Sequence, residues 1–306
     1  MKIHKITFSL ICLFLAQLSL AQTPLKYQNE RDETHLLGQF QIADLKNDTT
    51  YNKWFEPGYE DYTPFEKQPI WAKELKDKQV KIFMGTWCGD SQNWLPKFIK
   101  LWDELGLERE QLELIALSDT DENYKQGPNG EEKGWNIHRV PTFIFLEDGK
   151  EYARIVEFPH TNLLTDVAQI ALGYPSNPSY AGANYFFEVF RNHELSYIQK
   201  NINDIYREGY YKVGKYYELV TLAKVWEAAG KNEPALMLLN LNTYYFNTNW
   251  YAYYKLAQLQ EKMEENKAAL ENYEKVIIYR PDHEASLEAI KKLKAMVPEK
   301  EAESDS

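Results

Sequence analysis

Residues Val80 to Ser91 (Val-Lys-Ile-Phe-Met-Gly-Thr-Trp-Cys-Gly-Asp-Ser) constrain this chain more than any other stretch. An apolar strand runs into Trp-Cys-Gly, and a helix begins at once. Cys88 is therefore placed at a helix N-terminus, where the dipole and unpaired N–H groups favour thiolate, the nucleophilic form of sulfur. Serine, not a second cysteine, stands three residues further on at position 91. Nothing else in the motif can take over a bond that this sulfur has formed.

The N-terminus bounds where such a thiol would work. The chain opens Met1-Lys2-Ile3-His4-Lys5, runs apolar from Ile6 to Leu20 and reaches Ser19-Leu20-Ala21 before Gln22. A basic start, a short apolar core and small residues at −3 and −1 describe a secretory signal peptide over residues 1–21. The apolar run falls short of the ~20 residues of a spanning helix, so no membrane span is expected after cleavage. Cys12 would leave with the leader, and Cys88 would be the one thiol of a chain with no internal disulfide. Two lysines and no acids leave too, taking the net charge from −11 to −13. That acidity repels nucleic acid and anionic lipid as partners. A secreted protein of a bacterial periplasm is the expectation.

Three regions separate by pattern. Residues 22–68 are polar and then aromatic-rich, through Tyr51, Trp54, Phe55, Tyr59, Tyr62 and Phe65, and read as an extension packed on the next domain. Residues 69–173 alternate helix and strand. Trp71–Leu75 is helical, Val80–Met84 a strand, and the helix from Asp90 to Leu105 buries Trp94, Phe98, Ile99 and Leu101. Leu112–Leu117 is a strand. Thr142–Leu146 and Glu151–Val156 form a hairpin across Asp148-Gly149, and Thr161 caps a last helix to Leu172. This order implies an α/β domain with a mixed central sheet flanked by helices. Residues 174–184 are a linker by composition.

Residues 185–296 read as all-α. Aligning Tyr216 with Trp250, a period of 34 residues, matches Leu219 with Tyr253, Leu222 with Leu256, Ala223 with Ala257, Ala235 with Ala269 and Leu239 with Tyr273. Continued once more, the register puts Leu287 and Ile290 on the same face. These slots resemble tetratricopeptide repeats, with helices 185–207 and 284–296 as caps. Repeats that clamp a terminal carboxylate resemble one another in carrying Lys and Asn on each first helix. Here those slots hold Val220 and Lys224, then Tyr254 and Gln258, which favours an extended or helical protein partner. Residues 297–306 form an acidic tail. The tyrosine pairs 210/211, 216/217, 244/245 and 253/254 read as packing between repeat helices.

Residues 69–173 resemble a thioredoxin domain. Beyond Trp87-Cys88-Gly89, Pro96 lies where thioredoxins kink this helix, His138-Arg139-Val140-Pro141-Thr142 is similar to the family's cis-proline loop, and Gly149 falls at its hairpin turn. The resemblance implies that Cys88 is the nucleophile and that Trp87 shields one side of it. It also implies that Val140, Pro141 and Thr142 hold an extended protein client, with a cis bond before Pro141.

Three residues depart from that pattern. Ser91 replaces the resolving cysteine, so a mixed disulfide at Cys88 cannot be cleared from within; its hydroxyl can instead donate to the thiolate. Ile82 stands where thioredoxins bury a carboxylate. Glu157 stands where they place a glycine beside the groove. Glu157 and Asp90 disfavour thiolate by like charge, and Arg154 offsets them.

Bland readings compete with these. Asp90 and Ser91 are also good helix caps, and His138 reads as a surface loop residue rather than a proton carrier. No cofactor is expected, nor a metal: the six histidines are scattered and no paired Cys or His spacing exists. A peroxiredoxin-type site fails, since Lys81 and not proline lies seven residues before Cys88. Two function classes stay open. One is a monothiol thiol–disulfide oxidoreductase that forms mixed disulfides with protein clients recruited by the repeats. The other is a non-catalytic scaffold that holds peptides in a degenerate thioredoxin fold.

Overall fold

A computed structural model describes residues 24–296; the expected leader 1–21 and acidic tail 297–306 lie outside the described residues. The first domain is built on a six-stranded mixed sheet. Its strands are β1 (Leu25–Gln28), β2 (Thr34–Phe40), β3 (Gln79–Met84), β4 (Leu112–Ala116), β5 (Thr142–Glu147) and β6 (Lys150–Val156). They lie in the order β1-β2-β4-β3-β5-β6, with only the β3–β4 pair parallel. The expected α/β class is present.

Residues 22–68, read from the sequence as an appendage on this domain, supply two strands of its sheet. β2 pairs antiparallel with β4, Gly38 opposite Ala116 and Phe40 opposite Leu114. Helices α1 (Ile42–Asn47) and α2 (Thr49–Glu60) follow. Tyr51 and Phe55 of α2 are fully buried in the same core as β3 and β4.

Strand alternation divides the sheet's two faces. Val80, Ile82 and Met84 of β3 join one core, under α2, α3 (Gly89–Glu104) and α4 (Leu163–Ala171). Phe83 turns to the other face, with Ile115, Ile144 and Leu146. Phe98 of α3 stacks on Phe143 with ring centroids 4.5 Å apart. Burying such a ring contributes ~2–3 kcal/mol. The cap of α4 is Asn162, whose side chain accepts from the Thr165 N–H at 2.9 Å, rather than the expected Thr161. The Thr161 N–H instead donates to Asp166.

The second domain is all-α. The expected helix 185–207 is three helices: α5 (Ala181–Asn192), α6 (Leu195–Lys200) and α7 (Ile202–Tyr210). Extended backbone at His193 and a non-helical Asn201 break it, and α5 begins inside the expected linker. Then come α8 (Tyr216–Ala228), α9 (Asn232–Tyr245), α10 (Trp250–Lys262), α11 (Asn266–Tyr279) and α12 (Glu284–Met296). From α8 to α10 and from α9 to α11 the boundaries repeat at the 34-residue period seen in the sequence. All the paired slots from Leu219/Tyr253 to Leu239/Tyr273 are buried.

The register fails at α12. Leu287 is 45% exposed, while Ser286 and Leu293 are fully buried. This terminal helix packs on α11 and also reaches α10, through Leu293 beside Ala257 and Lys292 paired with Glu261, and that seat turns Ser286 and Leu293 inward instead of Leu287. The tyrosine pairs also divide: Tyr245 and Tyr253 are packed, while Tyr210, Tyr211 and Tyr244 stand exposed. Among the described residues no helix is long and apolar enough to cross a membrane.

Candidate active site

The sheet carries Cys88 to its edge and stops. β3 ends at Met84, the Cys88 N–H donates to the Gly85 carbonyl at 3.0 Å, and Cys88 becomes the N-cap of α3. Gly85 is required here, because a Cβ at that position would lie 2.4 Å from the Trp87 indole folded over it. Trp87 is pinned in place by its indole N–H, which donates to the Leu117 carbonyl at 2.8 Å. The sulfur is half-buried, packed on the Phe83, Ile115 and Val140 side of the sheet.

The bond between Val140 and Pro141 is cis, and Cys88 Sγ donates to the Val140 carbonyl at 3.2 Å. Cys88 and the cis-proline loop therefore touch. Thr142, buried at the start of β5, fastens the loop by donating to the Arg139 carbonyl at 2.8 Å.

Ser91 has a different bond from the one expected. Its oxygen accepts from the Gly85 N–H at 3.2 Å, closing the strand-to-helix turn, and it is fully buried. Ile82 is also fully buried, inside the apolar core. Asp90 is exposed in the first turn of α3.

Glu157 sits just past the end of β6 with φ 65°, in the left-handed region that favours glycine. Its N–H donates to the Pro141 carbonyl at 2.7 Å, so it flanks the cis-proline loop as expected. Burial pushes its carboxyl up, Arg139 pulls it back down, and Asp90 adds to the rise. The offsetting cation is Arg139, with Nη1 3.2 Å from the Glu157 carboxylate, and not Arg154. Arg154 lies opposite Ile144 within β6 and is held by Glu151 at 2.5 Å and the Trp135 carbonyl at 3.1 Å.

His138 corrects the sequence reading most sharply. It is 1% exposed, edge-on to Tyr180 at 5.5 Å and Phe187 at 5.7 Å. Burial holds its pKa well below the ordinary histidine value, so the ring is neutral. It is no surface residue because α5, from the second domain, covers it.

That covering belongs to a wider contact. The Tyr180 hydroxyl donates to Glu157. Arg139 lies over the Tyr180 and Tyr217 rings, at 4.7 and 5.3 Å, and donates to the Tyr217 carbonyl at 3.3 Å. Lys224 of α8 pairs with Asp121 at 2.8 Å and lies over the Tyr124 ring at 4.1 Å. The Lys224 slot, weighed above as part of a partner clamp, ties the two domains together.

Sequence reasoning missed Tyr124 and Lys125 altogether. They lie in the aperiodic segment between β4 and β5, where no pattern marks a buried side chain. Lys125 is 3% exposed; its ammonium donates to the His138 carbonyl at 2.9 Å and the Tyr124 hydroxyl at 3.0 Å. Burial first, and Arg139 second, push its pKa down to about 7. Arg139 stood in plain view beside Val140-Pro141, but nothing in the sequence gave it a partner.

No protein-family model matches the chain. Two curated relatives do, each over part of it. The TPR repeat-containing thioredoxin TDX of Arabidopsis thaliana is 30% identical over 98 residues, 32% of this chain and 23% of the relative. Thioredoxin H9 of the same plant is 29% identical over 109 residues, 35% of this chain and 71% of the relative. The first domain is thioredoxin-like and the second tetratricopeptide-like. This chain matches less than a quarter of the first relative's length. In the thioredoxin-like domain the Cys88–Val140 contact sets the sulfur against the cis-proline loop.

Proposed function

We propose that the protein is a monothiol thiol–disulfide oxidoreductase acting on protein clients, with a part in redox homeostasis. Its Cys88 thiolate attacks a client disulfide. A new bond joins Cys88 to one client sulfur, and the other client sulfur departs as thiolate. A small external thiol then clears the adduct. The tetratricopeptide-like repeats recruit the clients, and the N-terminal leader sends the protein out of the cytoplasm, to a periplasm.

One observation carries this reading: Cys88 is half-exposed at a helix start with its sulfur 3.2 Å from the Val140 carbonyl beside cis-Pro141. A merely structural cysteine would sit sealed in the core. A second reading, the non-catalytic peptide holder, draws on the second domain lying along the cis-proline flank through Arg139, Tyr180 and Tyr217. Client capture separates the two. On non-reducing gels wild type should retain thiol-linked proteins that Cys88→Ala lacks, and Ser91→Cys should release them. Equal retention by wild type and Cys88→Ala would leave only the scaffold.

A further inference from the structure

The family's proton-managing carboxylate is absent, since its place is taken by Ile82, but a buried titratable group is fastened to the same loop that the sulfur touches. Lys125 and Cys88 hold carbonyls two residues apart on one loop: the ammonium bonds that of His138 at 2.9 Å, the thiol that of Val140 at 3.2 Å. The amine is almost wholly buried, and among the described residues no carboxylate lies within ion-pair distance. Its two acceptors, the His138 carbonyl and the Tyr124 hydroxyl, are neutral. A buried ammonium without a counter-charge calls for one nearby.

The charged and titratable groups that face it come from every packed element. Arg139 on the loop and Lys224 on α8 oppose its charge, while Cys88 at the start of α3 and Glu157 beyond β6 favour it. His138 is neutral, and Tyr124 is held protonated by burial. Glu157 is already engaged by Arg139 and Tyr180. That leaves Cys88, once it has given up the proton it donates to the Val140 carbonyl, as the anion without a partner.

We propose that Lys125 is the proton store of Cys88, pairing as ammonium with the thiolate and passing its proton to the client thiolate that departs. This rests on the oxidoreductase reading above. The step balances: the Cys88 sulfur forms one S–S bond and the client loses one. Once the Cys88 charge is consumed, Lys125 ammonium becomes neutral amine and the client thiolate becomes thiol. Burial has already brought the amine's proton affinity near neutrality, so the transfer needs no other acid.

Two probe disulfides and two variants test this at pH 7. An aromatic disulfide, dithiobis(nitrobenzoate), releases a thiolate that needs no proton; bis(2-hydroxyethyl) disulfide releases one that does. Lys125→Met should react more slowly with both, by at least about fivefold, and its Cys88 alkylation should move to higher pH. Lys125→Arg keeps the charge but cannot release a proton. It should match wild type with the aromatic probe and lag by about fivefold or more with the aliphatic one. Melting curves confirm that each variant is folded. If both variants track wild type with both probes while Cys88→Ala is inert, the proton store is refuted and the oxidoreductase stands. Equal slowing of both probes by Lys125→Arg refutes it as well, as a packing effect. A wild-type Cys88 unreactive toward either disulfide defeats the oxidoreductase reading itself.

Discussion

The two sides of Cys88 are built on opposite principles. The helix side has no buried ionisable groups: Ile82 lies in apolar packing, Ser91 is committed to the Gly85 N–H, and the one carboxylate of the first turn, Asp90, is exposed. The loop side is crowded with them, bringing Lys125, Arg139, Glu157 and a neutral His138 together under a lid formed by α5 and α8. In the family pattern the second sulfur and the carboxylate both belong beneath the helix. Here the charged side chains gather along the cis-proline loop, and the second domain helps to enclose them. A thioredoxin-like fold can thus lose its internal resolving chemistry while it gains a buried electrostatic setting from elsewhere in the chain.

The largest change should come from restoring the helix side. Ser91→Cys supplies the missing sulfur, and retention of mixed disulfides should fall on the order of tenfold or more, read by non-reducing gels. Retention unchanged by that variant would show that the helix side was not the limiting one.

On the loop side, pH exposes the cost of Lys125. Unfolded, this amine holds its proton to its ordinary value of 10.5; folded, only to about 7. Between those values the unfolded state binds more protons, so stability rises with pH, at up to ~1.4 kcal/mol per unit. Lys125→Met should remove that slope in denaturation measured from pH 6 to 10 and should stabilise most at the acid end. A slope unchanged in the variant would mean that the amine is solvated.

Arg139→Ala should cost about 3 kcal/mol, because it strands a mostly buried Glu157 carboxylate and frees the Tyr180 and Tyr217 rings. Pairing it with Glu157→Gly, which removes that carboxylate and suits the positive φ, should recover much of the loss. The smallest effect belongs to Lys224→Ala. Its bond to the exposed Asp121 is a surface pair, and the expected loss is under ~1 kcal/mol in urea. A larger loss there would mark the domain contact as a main stabiliser of the fold.

What the sequence revealed followed periodicity. β3 to β5 were legible as short apolar runs buried on both faces, β6 through its Asp-Gly turn, and α3 and the 34-residue helical repeat because each buries one regular stripe. β2 was not: in Thr-His-Leu-Leu-Gly-Gln-Phe, His35 is buried beside Leu36, so the alternation that marks a strand is broken. The breaks at His193 and Asn201 carry no Gly or Pro to announce them. At the site, Cys88, Trp87 and the cis-proline loop were readable as local motifs. Lys125, the burial of His138 and the Arg139–Glu157 pair were not, because each depends on where a distant helix or an aperiodic loop comes to rest.

The central claim is that Cys88 makes a disulfide bond which its own chain cannot undo. Mass mapping of the Cys88 peptide after exposure to glutathione disulfide and dilution tests it directly. The account predicts a single persistent glutathionyl adduct on wild type that is lost in Ser91→Cys, and an unmodified Cys88 peptide in wild type would contradict it.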